Sequence, residues 1–218
     1  MEINKAAVTQ KAAVTTEDLL LINRQALREL KAEDVFVFKV RACDTLVDRD
    51  FERFTDSTLV TLAKLFVGKT VIFDHMWSAG KQTARIFETF VEEAAEAHVL
   101  MAKCYMLRND STKDTIEAIE GGILREVSVG CAVSRAVCSI CGEDYGTCGH
   151  CKGTEYDGTL CVCELHDPVD AYEMSFVAVP AQPRAGVTKG TKRNGSAPAD
   201  PTAVKVELEI EHEKWRYV

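Results

Sequence analysis

The chain has 218 residues, 46% of them hydrophobic and 28% charged, with a formal net charge of -8. This length allows one sizeable core with appendages, and the composition is that of an ordinary globular protein. The acidic balance argues against nucleic acid as a partner, and no run of about 18 apolar residues predicts a membrane span.

In chain order, residues 1–15 carry a short repeat, KAAVT at 5–9 and 11–15, expected to be a flexible arm. They have no apolar h-region of the kind a secretory signal needs. TTEDLLLINRQALREL predicts a helix capped at Thr15 or Thr16. DVFVFKVRA reads as a buried strand, DTLVDRDFERF as a charged turn segment, and TDSTLVTLAKLF as a helix stopped by Gly68. Three strands follow: KTVIFDH, ending at His75, then TARIFETFVEE and HVLMAKCYML. NDSTKDTIEAIEGG has a helix cap at Asp110 or Ser111 and a terminator at Gly121 and Gly122. ILREVSVG returns to strand, a cysteine-rich segment interrupts, and AYEMSFVAV is the last core strand, ended by Pro180. Strands separated by a few helices predict an α+β fold with a barrel-like, mostly antiparallel core. After Lys189, GTKRNGSAPADPT is a linker by composition, and VKVELEIEHEKWRYV alternates like a strand in search of an edge.

Six of the nine cysteines lie in one short segment: Cys138, Cys141, Cys148, Cys151, Cys161 and Cys163. Cys138-x2-Cys141-x6-Cys148-x2-Cys151 has the spacing of paired zinc knuckles, with Gly142, Gly146 and Gly149 permitting tight turns. Cys138, Cys141 and Cys148 are the expected ligands, with His150 or Cys151 as the fourth. Cys161 and Cys163 are either substitutes or core thiols. Four protein ligands leave no open position, so a Zn2+ here would be structural. It would staple a long loop that lacks a core of its own. Cys43, Cys104 and Cys131 sit in apolar runs and read as buried thiols.

Of the five histidines, His75 and His166 are the candidate bases, and Ser128 in REVSVG is a strand serine without a GxSxG elbow around it. Residue patterns alone leave these as ordinary polar side chains. Four blocks in order change that reading: DRDFERF, FDHMWSAGKQTARIF, IEGGILREVSVG and DAYEMSFVAVPAQPRAG. Together they resemble the prohead (capsid maturation) serine proteases of tailed phages, a family related to herpesvirus assemblins. The likeness covers roughly residues 35–188. It departs from the family at DRDFERF, which lacks the usual glycine, and in carrying the cysteine segment as an insertion at 136–166.

The resemblance implies a protease domain over 16–188 and a linker and tail over 189–218. It implies Ser128 as nucleophile, His75 as general base and Glu173 as the acid behind it, with Asp170 or His166 as alternatives. Backbone N–H groups beyond Ser128, with Arg135, are the expected oxyanion donors. The implied substrates are a scaffold protein or the scaffolding arm of the major capsid protein, and the chain itself. The implied place is the assembling prohead in the host cytoplasm, with no nucleic acid or membrane partner and room for a homo-oligomer. The competing expectation is a non-enzymatic, zinc-stapled scaffolding protein on the same fold.

Overall fold

A computed structural model describes residues 14–188. The KAAVT leader and the alternating tail lie outside the described residues. Helix α1 spans Thr16–Asn23, and Thr15 caps it in a reciprocal box: Asp18 N donates to Thr15 Oγ1 and Thr15 N donates to Asp18 Oδ2, each at 3.0 Å. The helix stops well short of the expected Leu30. Asn23 explains this, because its side chain donates to Leu30 O and accepts from Leu30 N, folding the chain back on itself.

Strand β1 (Val35–Asp44) follows, then the short β2 (Glu52–Phe54) and helix α2 (Asp56–Phe66), capped by Thr55. Strand β3 is Thr70–Phe73, β4 is Ala84–Ala94 and β5 is Ala97–Leu107. Helix α3 (Lys113–Glu120) begins after Thr112 rather than after Asp110 or Ser111, whose neighbour Asn109 organises the turn instead. Strands β6 (Val127–Cys138) and β9 (Cys163–Phe176) run deep into the cysteine segment, and a two-strand hairpin, β7 (Glu155–Tyr156) and β8 (Thr159–Leu160), lies between them. The last strand is β10 (Gly186–Val187).

The fold is α+β with one mixed, mostly antiparallel sheet in the order β10-β1-β5-β4-β3-β9-β2, and β6 along the other edge of β9. Only β2 and β3 run parallel to β9. The sheet is not a closed barrel. Strand β10 is two residues long and meets β6 through an isolated Glu126–Gly186 bridge, too little to form a closing ladder. The apolar side of α2 (Leu59, Leu62, Ala63, Phe66) packs into a core with Val40, Ile86, Leu100, Met106, Met174 and Phe176. Among the described residues no helix is long and apolar enough to cross a membrane.

Two of the sequence blocks meet in space. Arg49 of DRDFERF donates its backbone N–H to Ala181 O at 3.1 Å and its guanidinium to Pro180 O. Elsewhere, Lys103 Nζ ties α1 to the sheet, 3.0 Å from Asp18 Oδ1 and 2.6 Å from Glu88 Oε2. Burial raises the Asp18 carboxyl, but hydrogen bonds from Thr15 and Lys103 outweigh it and hold the group below its ordinary value. That stabilisation is therefore present above the ordinary carboxylate range and is lost as pH falls through the depressed folded value. Lys103→Met is expected to lower the unfolding free energy by about 2 kcal/mol at pH 7. In urea titrations the deficit should shrink below about pH 4, where the stranded carboxyls take up protons.

Candidate active site and metal centre

Strand β3 ends at Phe73, two residues before the expected end at His75. Asp74 and His75 both adopt left-handed backbone, at φ 53° each, and turn the chain out of the sheet. Asp74 N still donates to Phe176 O at 3.0 Å, and His75 N donates to Ser175 Oγ at 3.0 Å. This turn swings the imidazole back over β9, where Nδ1 lies 2.7 Å from Glu173 Oε1. A carboxylate only accepts, so Nδ1 carries the hydrogen, and Nε2 of the neutral ring is left as an acceptor. The side chain of His75 is 42% exposed and that of Glu173 is 3% exposed.

The second oxygen of Glu173 is satisfied as well. Ser175 Oγ, fully buried, donates to Oε2 at 2.6 Å. Ser175 thus holds the backbone of the histidine turn and the carboxylate at once. Across the ribbon, Gly130 pairs with Glu173 and Ser128 pairs with Ser175. Residues two apart on a strand share a face, so Ser128, Gly130, Glu173 and Ser175 all project to one side. A Cβ built at Gly130 would stand 2.3 Å from Glu173 Oε1, so only glycine leaves the carboxylate its place. Ser128 is half-buried and, among the described residues, makes no side-chain hydrogen bond, including to His75.

The other polar residues named from sequence are engaged elsewhere. Asp170 Oδ1 pairs with Lys69 Nζ at 3.1 Å. His166 Nε2 lies 3.4 Å from Glu164 Oε2, and Arg53 holds that carboxyl below its usual range. Arg135 Nε donates to Asp167 Oδ2 at 2.7 Å. It sits far down β6, roughly 20 Å from Ser128 at strand rise, so it is no oxyanion donor. Burial first, and then the charge of Glu173, push the Cys131 thiol up to about 11.

At the far end of the same ribbon, ligand atoms of Cys138, Cys141, Cys148 and His150 all lie within 4.8 Å of one another. This set can hold a metal ion. His150 Nδ1 is buried without a hydrogen-bond partner, as expected of a ring nitrogen that awaits a ligand bond. Burial opposes ionisation of Cys138, but the N–H groups of Cys141 and Ile140 and the neighbouring thiols bring it down to about 6. Cys151, the alternative fourth ligand, is exposed and falls outside the group. Its N–H instead donates to Tyr156 Oη at 3.0 Å. Cys161 is buried with its sulfur 3.8 Å from Cys138 Sγ, and Cys163 faces Cys138 across the ladder.

The loop is clasped by the turn before β2. Lys152 Nζ meets Glu52 Oε1 at 2.5 Å, and the Phe51 ring lies against Gly153, where an added Cβ would come within 2.8 Å of it. Comparison of the chain with protein-family models, curated proteins and solved structures finds no match.

Ser175 and Gly130 carry no signal in the sequence beyond their places in EMS and SVG. Their importance depends on a cross-strand register that no local pattern encodes. Gly130→Ala is expected to displace Glu173, break its hydrogen bond to His75 and destabilise the fold by about 1–3 kcal/mol. The broken bond would appear as loss of the downfield Nδ1–H resonance of His75 in proton NMR.

Proposed function

We propose that this chain is a serine endopeptidase of the capsid-maturation kind, with Ser128 as nucleophile, His75 as general base and Glu173 as the group that orients it. The observation that carries the reading is the buried Glu173 carboxylate on His75 Nδ1, with the unbonded Ser128 hydroxyl on the same face of the β6–β9 ribbon as Glu173. In the reaction, Nε2 takes the Ser128 proton as Oγ attacks a peptide carbonyl. The resulting imidazolium, stabilised by Glu173, returns the proton to the leaving amine. Water, deprotonated by the same nitrogen, then releases the acyl group and regenerates Ser128.

Among the described residues, the outer edge of β6 carries no strand ladder beyond Val127, whose N–H donates to Ala185 O. Its unpaired backbone offers N–H donors for an oxyanion and a line of donors and acceptors for an extended peptide. The order of the four sequence blocks supports a scaffold protein, the scaffolding arm of a major capsid protein, and the chain's own ends as substrates. It supports the assembling prohead, within the host cytoplasm, as the place of action.

Zinc suits the metal set best. Three thiols and one imidazole are soft and borderline donors that favour tetrahedral Zn2+. With every position filled from the protein, the ion braces the ribbon tip and supplies no Lewis acid to the reaction. Strand rise places Cys138 roughly 30 Å from Ser128 along β6.

One observation favours a second reading. The unmade Ser128–His75 hydrogen bond suits a scaffolding protein that keeps the fold without the activity, although such bonds commonly tighten only when substrate binds.

Co-expression with the cognate capsid protein is expected to give discrete cleavage products on denaturing gels. Glu173→Gln should slow cleavage by about 10⁴-fold, and Ser128→Ala should abolish it while the circular dichroism stays native. Cleavage that persists in Ser128→Ala would overturn the assignment. For the metal, one zinc per chain is expected by elemental analysis. Its affinity should fall as pH is lowered, since the raised Cys148 thiol must lose its proton to bind, and more steeply below about 6, where protons also compete for Cys138. Chelation should free amide exchange across 138–163 and leave most of the peptidase activity in place.

A further inference from the structure

Beside the His75–Glu173 pair the protein keeps two aromatic rings in solvent. Trp77 is 72% exposed and Tyr172 is 41% exposed, yet the two rings pack with centroids 5.2 Å apart. Each is tied to the site through the backbone. Trp77 leaves the same turn that carries His75, and Tyr172 immediately precedes Glu173.

Tyr172 is placed there by a defect in the ladder. Gly130 pairs with Glu173 while the next residue, Cys131, pairs with Ala171, so Tyr172 is the extra residue of a β-bulge with no partner opposite. A bulge of this kind re-aims a side chain, and such features concentrate beside functional sites. A second bulge lies at Val169, which is also exposed, and Met76, between His75 and Trp77 in the chain, is exposed as well. The charged residue between the bulges, Asp170, is neutralised by Lys69.

We infer that Trp77 and Tyr172 form a subsite for an apolar side chain, aromatic or branched aliphatic, of a peptide bound with its scissile bond at Ser128. This rests on the peptidase reading and adds to it the class of residue that the substrate carries near the cleavage point. The occupant follows from continuity with the site: Trp77 stands two residues after His75 and Tyr172 one before Glu173, so a peptide held at that pair has both rings within reach of a neighbouring side chain. Two tilted rings in contact, without an uncompensated charge beside them on β9, favour an apolar partner over a cationic or acidic one.

The chain has two tryptophans, so the full-length Ser128→Ala, Trp215→Phe variant reports on Trp77 alone. Pools of heptapeptides, fixed at one position as Phe, Leu, Ser, Lys or Glu and random elsewhere, are titrated against its emission. The Phe and Leu pools should shift the emission and bind about tenfold more tightly than the Ser pool, a preference that Tyr172→Ser should remove. Emission indifferent to every pool, or a preference for Lys or Glu, overturns the subsite.

A parallel measurement separates this from failure of the peptidase reading. If Ser128-dependent cleavage occurs but Trp77→Ala leaves KM for Phe-containing peptides unchanged, the subsite falls and the peptidase stands. If apolar peptides bind at Trp77 and no Ser128-dependent cleavage occurs, the site is a peptide-binding ledge and the peptidase reading falls.

Discussion

The arrangement depends on one buried carboxylate. Glu173 sits inside the β3–β9–β6 region with both oxygens occupied, one on His75 and one on Ser175. A buried carboxylate without partners would be costly enough to take up a proton or leave the interior. The fold meets this cost with three features that have no other evident purpose: a left-handed turn that returns His75 over β9, a buried serine hydroxyl, and a glycine where any Cβ would collide. Removing any one of them leaves either a charge without a partner or a carboxylate without room.

The long antiparallel ribbon of β6 and β9 connects that carboxylate to the metal centre and also keeps them apart. One end carries Ser128, Gly130, Glu173 and Ser175, and the other carries Cys138 and Cys163 as a register pair. Between them the ribbon bulges twice, which increases its twist and turns Tyr172 and Val169 outward. A ribbon of this length has little core beneath its distal end. A metal ion held by Cys138, Cys141, Cys148 and His150 would supply there, with the clasp of Lys152 on Glu52, the order that hydrophobic burial supplies near α2. The two centres are thus joined mechanically and separated chemically.

Much of this was legible in the sequence, because the relevant signals are local. The strands β1, β4 and β5 announce themselves as β-rich apolar runs, α2 by its Thr55 cap and apolar spacing, and the ligands Cys138, Cys141 and Cys148 by their intervals. His150 and Cys151 could not be separated by spacing alone. The fold places His150 within the cluster and leaves Cys151 exposed outside it. What failed to show was every feature fixed by residues distant in the chain. Asn23 ends α1 by bonding to Leu30, β6 and β9 continue through the cysteine segment because they pair with each other, and β10 is too short to close the sheet. Ser175 and Gly130 acquire meaning only once the register sets them beside Glu173.

The central claim is that His75, poised by Glu173, activates Ser128. Reaction of the full-length protein with a fluorophosphonate probe, followed by peptide mass spectrometry, tests it without any knowledge of the natural substrate. One adduct on Ser128 is expected, formed at least about a hundredfold more slowly in His75→Ala. An unmodified Ser128, or labelling that is equally fast without the histidine, would contradict it.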